Sequence, residues 1–176
     1  MRSQEGNSLL ANRKPILYTW KLPCKIKIFL WLVLQGQLLT KVYRAKWRPS
    51  ELMNCALCGE MPESIEHLLL TCHRAVRFWD RFGTMAGFRC QFHNLNELWE
   101  VMFERLIQGE KSIQARFWCI VVPADLWALW RARNALIFRN QTFYMENLWE
   151  DSLFLLKDWG RYLVGARTFV TLVSYK

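Results

Sequence analysis

The stretch CALCGEMPESIEHLLLTC, residues 55–72, places two cysteines, a histidine and a third cysteine inside eighteen residues of a chain that has only six cysteines and three histidines. Their spacing is Cys55-x2-Cys58-x8-His67-x4-Cys72. A Cys-x2-Cys turn lets both thiolates face one ion, and Gly59 directly after it eases the tight backbone. Ser64 is a good cap for a short helix through IEHLLL. His67 would sit on that helix and Cys72 just past its end, so both can return to the same point. Three thiolates and an imidazole make a closed tetrahedral zinc site with no position left for water. The reading is one structural Zn2+ on Cys55, Cys58, His67 and Cys72. Thiolate-rich ligation also favours zinc over hard cations.

Other readings of these residues are weaker. A redox pair at Cys55 and Cys58 calls for a βαβ surround that the pattern lacks. A disulfide conflicts with the N-terminus, MRSQEGNSLLANRKPILYTW, which has no apolar signal region. His73 competes with Cys72 as a ligand but is expected to point away along the following helix. Cys24, Cys90, Cys119 and His93 have no ligand partner nearby in sequence.

Outward from the knuckle, the pattern is helical. Pro23 opens a helix whose Ile26, Phe29, Leu30, Val33 and Leu34 follow a three-and-four spacing, and Gly36 stops it. Thr40 caps KVYRAKW, which Pro49 ends. Residues 73–82 read as a helix with Val76, Trp79 and Phe82 on one side, and residues 83–94 as a connector. Residues 95–107 form an amphipathic helix with Leu95, Leu98, Trp99, Met102 and Leu106 inward. Residues 113–139 form a long helix, expected to bend or break near Pro123, where a backbone donor is missing. A last helix spans about 145–163 with Leu148, Leu155, Leu156 and Trp159 buried. The tail GARTFVTLVSYK is β-prone. The fold class is therefore all-α: a small helical domain with a Cys3His zinc knuckle, followed by a helical aromatic-rich extension. The expected organisation is a loose 1–14, a zinc-binding module over 15–84 and the extension over 85–176.

Charge is unevenly placed. Residues 1–50 hold ten Lys/Arg and one acid, whereas residues 51–176 hold fourteen of each, so the whole formal +9 precedes the knuckle. A basic segment beside a small metal site suggests a polyanion, RNA or DNA, and charge alone is equally met by a solvated helix face. The candidate phosphate contacts are Lys21, Lys25, Lys27, Lys41, Arg44, Lys46 and Arg48, with Tyr43 and Trp47 available to stack on unpaired bases. The longest N-terminal apolar run, Ile28–Leu34, is too short to span a bilayer. Neither a membrane nor a small-molecule substrate is expected as partner, and the location expected is intracellular.

WKLPCKIKIFLWLVLQGQLLTK, CALCGEMPESIEHLLLTCHRAVRFW and LWALWRARNALIFRN together resemble the zinc-binding region of plant LINE-type (non-LTR) reverse transcriptases. Trp20, Lys21, Pro23, Lys25, Ile26, Phe29 and Trp31 match its leading pattern, and Thr40 its threonine-started helix. The zinc residues carry over onto Cys55, Cys58, His67 and Cys72, and Trp79 matches the tryptophan that closes the module. Trp127, Trp130, Arg133, Asn134 and Phe138 match a downstream element. Leu22 departs mildly from the family pattern, and Pro123 falls in a stretch that is usually unbroken helix. The chain has no Asp-Asp pair, which a polymerase needs for two magnesium ions. The resemblance therefore implies a retroelement-derived fragment without the polymerase or RNase H domains, and no enzyme. A nucleic-acid-binding module is one expectation. The alternatives are an interaction or scaffold module that packed on a polymerase domain or on itself, and a relic with no selected function.

Overall fold

The computed structural model describes residues 22–49, 52–86, 91–107 and 113–163. The described residues form six α-helices: α1 (Cys24–Leu34), α2 (Lys41–Arg44), α3 (His73–Ala86), α4 (Leu95–Ile107), α5 (Ile113–Arg139) and α6 (Met145–Leu163). A π-helical turn, His67–Thr71, precedes α3. Among the described residues there is no strand, only an isolated antiparallel bridge between Asn54 and Pro62. None of the described helices is long and apolar enough to cross a membrane.

The apolar stripe of α1 is the one its spacing predicts, with Ile26, Phe29, Leu30, Val33 and Leu34 all buried. Gly36 follows the helix at φ 64, a left-handed turn that suits glycine. Phe29 then meets α5, lying edge-on to Trp127 at 5.1 Å and stacked near Trp130 at 6.3 Å. Phe78 and Phe82 of α3 close on Trp149 of α6, the nearer centroids 4.4 Å apart. The aromatic-rich composition thus becomes one core that joins the knuckle segment to the C-terminal helices.

Three expectations need correction. Helix α5 runs unbroken from Ile113 to Arg139 through Pro123. Proline removes only one internal hydrogen bond, and Val121, Val122, Ala124 and Leu126 around it are all buried. Apolar packing on both sides of the proline outweighs that loss. Helix α3 continues through Gly83 to Ala86, so the connector begins later than expected. Along α3 the buried side is Ala75, Phe78, Trp79 and Phe82, with Val76 only half-buried. Lys21, Trp20, Cys90 and the β-prone tail lie outside the described residues, as do the side chains of Leu106 and Cys119.

Candidate metal centre

The knuckle is built by its own backbone. Cys55 N–H donates to Met61 O at 2.7 Å, Glu63 N–H to Met53 O at 2.7 Å, and Gly59 N–H to Cys55 O at 2.8 Å. Asn54 Nδ2 donates to Gly59 O at 2.9 Å. Gly59 has φ 79, a conformation that a Cβ would strain, so glycine suits the position after Cys58 in this turn. The outcome is a tight loop whose two cysteines look inward.

The other two donors come from the π-turn. Ser64 Oγ accepts the His67 N–H at 3.0 Å, as a helix cap should. Cys72 N–H then donates to His67 O at 2.7 Å, a bond spanning five residues. In an α-helix, residues five apart point about 140° away from each other. The wider turn brings His67 and Cys72 back to one side, and this solves the x4 spacing. Such local π-turns are common at functional sites. Trp79, buried on α3, donates its indole N–H to Leu69 O at 2.8 Å and so ties the π-turn to the next helix.

Cys55 Sγ, Cys58 Sγ, a His67 ring nitrogen and Cys72 Sγ all lie within 4.8 Å of one another. Cys58 Sγ and His67 Nε2 are 3.3 Å apart. Two such atoms across a tetrahedral zinc ion stand about 3.5 Å apart, so the donor set fits. Cys55 and Cys72 are 1% and 0% exposed, whereas Cys58 and His67 are half-buried. The Cys55 thiol donates to Cys72, and burial adds to that bond, so the Cys55 pKa is pushed far up. The same bond pulls the Cys72 pKa down, with help from the N–H groups of Arg74 and Ala75 at the start of α3. Backbone N–H groups of Leu57 and Cys58 likewise favour a Cys55 thiolate. Burial lowers the His67 pKa and so favours the neutral imidazole that a metal needs. The two sulfurs are held ready for a cation to replace the proton between them.

Residues 3–79 match the family model of zinc-binding in reverse transcriptase. All four donors lie inside the matched segment, which covers less than half of the chain. No curated protein and no solved structure matches the chain. The match and the Cys3His group together give zinc as the cofactor, one ion in a group able to hold one. With all four positions protein-filled, the ion would hold the Cys55–Cys58 loop against the π-turn and offer no open position for chemistry.

Two features escape a reading by spacing alone. Glu63, inside the knuckle loop, is buried and reaches Arg133 on α5. Arg133 did stand out in the sequence, in the RARN stretch of the downstream element. His73 does not point away: its ring, the Glu60 carboxylate and Cys58 Sγ form a second group of atoms within 4.8 Å. Helix α3 begins at His73 directly after the extended Cys72, and its first side chain therefore turns back over the loop. His93 instead pairs with Glu97 on α4 at 3.2 Å, and Cys24 is exposed.

The basic candidates fall into two groups. Lys25 and Lys27 are on α1, Lys25 exposed and Lys27 half-buried. Lys41, Arg44, Lys46 and Arg48 are on and after α2. Lys41 Nζ donates to Asn54 O at 2.8 Å, so its charge is partly used by the knuckle. Lys46 sits 4.7 Å over the Tyr43 ring, which packs edge-on against Trp47 at 5.0 Å. Trp47 is 65% exposed.

Proposed function

We propose that this chain is a zinc-stabilised nucleic-acid-binding module, derived from a plant LINE-type (non-LTR) retroelement reverse transcriptase, with no catalysis of its own. The observation that carries it is the exposed run Lys46-Trp47-Arg48, set just before the knuckle and braced by Tyr43. Two cations beside an exposed indole are what a single strand requires: charge for the phosphates and a flat face for a base. Lys25, Lys27, Arg44 and Lys21 extend the positive charge of the same segment. The zinc would fix the loop that follows this run, to which α2 is tied through Lys41.

Fluorescence anisotropy with labelled single- and double-stranded RNA and DNA, over a salt series, tests the reading. Binding should weaken steeply with salt. Replacing Lys46 and Arg48 by Gln should lower the log–log slope by about 0.7 per lost single-strand contact. Trp47→Ala should weaken single-strand binding by about 1–3 kcal/mol, with little change in slope. Absence of any salt-sensitive binding at low ionic strength would overturn it.

A second reading rests on a separate observation. Phe138, Tyr144 and Phe154 are exposed around a groove of about 780 Å³ between the end of α5 and α6. Apolar exposure of this kind supports an interaction module, docking on a polymerase domain or on a second copy. Light scattering that gives a clean monomer at high concentration counts against self-association.

A further inference from the structure

We propose that Cys58, Glu60 and His73 form a second, outer cation site that shares the Cys58 thiolate with the inner zinc group. Their donor atoms lie within 4.8 Å of one another, and a ring nitrogen of His73 stands 3.8 Å from Glu60 Oε2. That separation is too long for a hydrogen bond. It is near the spacing of two ligand atoms on either side of a zinc ion, about 3.3 Å. Cys58 is the one inner ligand placed in both groups. Its sulfur has a lone pair for each of two ions, and soft thiolates commonly hold zinc-class metals.

Access points the same way. Of the inner donors, Cys55 and Cys72 are closed off from solvent. The His73 and Glu60 side chains are 53% and 72% exposed, on the outer side of Cys58. The carboxylate and imidazole of the outer group are thus more open to solution than the buried inner pair. The outer group supplies three protein donors and leaves room for water, the arrangement of an exchangeable site. The ligand class is a borderline or soft divalent cation: zinc, cobalt or cadmium.

This inference rests on the inner group taking the first ion, so the experiment separates the two. Native mass spectrometry follows the full chain with zero to four equivalents of Zn2+, for wild type, Glu60→Gln and His73→Ala. All three should bind a first ion, which reports the inner group. The wild type should take a second, and both variants should lose it. Both positions are exposed, so the variants should fold as the wild type does. With Co2+, the second equivalent should alter the thiolate-to-metal absorption band in the wild type, because Cys58 then bridges two ions. Failure of the first equivalent in the wild type would overturn the inner reading itself. A wild type that stops at one ion with four equivalents present would overturn the outer site alone. So would a second ion that both variants keep, or one that leaves the thiolate band unaltered.

Discussion

Arg133 and Glu63 lie seventy residues apart and meet in a fully buried ion pair, with Arg133 donating from two nitrogens to the same Glu63 oxygen at 2.6 and 3.1 Å. Their side chains are 1% and 0% exposed. The rest of each group is used as well. Glu63 Oε1 accepts the Lys41 N–H at the start of α2, and Oε2 accepts the Ala56 N–H beside Cys55, both at 2.9 Å. Arg133 also donates to Leu39 O and Asn134 Oδ1, and its guanidinium lies 4.8 Å over the Trp130 ring. One carboxylate thus joins the metal loop, α2 and the long helix beyond the family-matched segment.

Arg133→Met should therefore cost about 3–5 kcal/mol, because it leaves a buried carboxylate without its cation. Glu63→Gln should cost a similar amount by leaving the guanidinium unpaired. The double variant should lose less than the sum of the two, since neither charge then remains. Urea unfolding of the zinc-loaded protein measures all three. A loss below about 1 kcal/mol for both single variants would contradict a buried pair, being the range of exposed ones.

Removal of one inner ligand should abolish tight zinc binding. His67→Ala leaves three thiolates without the imidazole, and Cys58 loses the neighbour at 3.3 Å. Native mass spectrometry at one equivalent of zinc should show an ion that survives a competing chelator in the wild type, and none that does so in the variant, which keeps only the weaker outer group. Chelation of the wild type should loosen the 55–72 loop, because metal binding and folding are coupled in such knuckles. Hydrogen exchange at Cys55, Gly59 and Cys72, whose N–H groups bond within the loop, reads that change.

The link between Trp79 and Leu69 should be separable from metal ligation. Trp79→Phe keeps an aromatic ring in the core but leaves Leu69 O without its 2.8 Å donor inside a buried turn. The expected loss is about 1–3 kcal/mol, the cost of an orphaned buried acceptor. Zinc stoichiometry should stay at one in the inner site, because no ligand is touched. Loss of the ion with this change would mean that the tryptophan holds the π-turn in shape.

What sequence could reveal here followed from local rules. The α1 stripe, the Thr40 and Ser64 caps, and the ends of α4, α5 and α6 depend on periodicity and on neighbours a few residues away. The four inner donors were readable because their spacing encodes a turn and a return. The π-turn was not, because HLLLT has no composition that separates it from an α-helical turn. Only the need to aim His67 and Cys72 together creates it. The Glu63–Arg133 pair was hidden for a different reason. An acid in a loop and an arginine on a distant helix look like solvated charges until the fold buries both. The position of His73 is not legible either, because the direction of α3 relative to the knuckle is a tertiary fact. Pro123 does not break the helix, since burial around it offsets the lost hydrogen bond.

Asp125 gives the protein a pH dependence of definite sign. It is wholly buried on α5, two residues after Pro123, and accepts a hydrogen bond from Ser152 of α6. Its second oxygen has no partner among the described residues. Burial raises its pKa well above the usual 3.8, against the smaller lowering effect of Ser152. In the unfolded chain the proton leaves near pH 3.8, whereas the folded chain keeps it to a higher pH. The folded state binds more protons in that window, so stability falls as pH rises, by about 1.4 kcal/mol per unit. The fall stops once the folded pKa is passed. Asp125→Asn removes the titration and leaves an oxygen to accept from Ser152. The difference in unfolding free energy between wild type and Asp125→Asn should therefore move in favour of the variant as the pH is raised from 3.8 towards neutral. Comparing the two by urea unfolding cancels the other groups that titrate in this range. A difference that stays flat with pH would mean that Asp125 ionises in the fold as readily as it does in water.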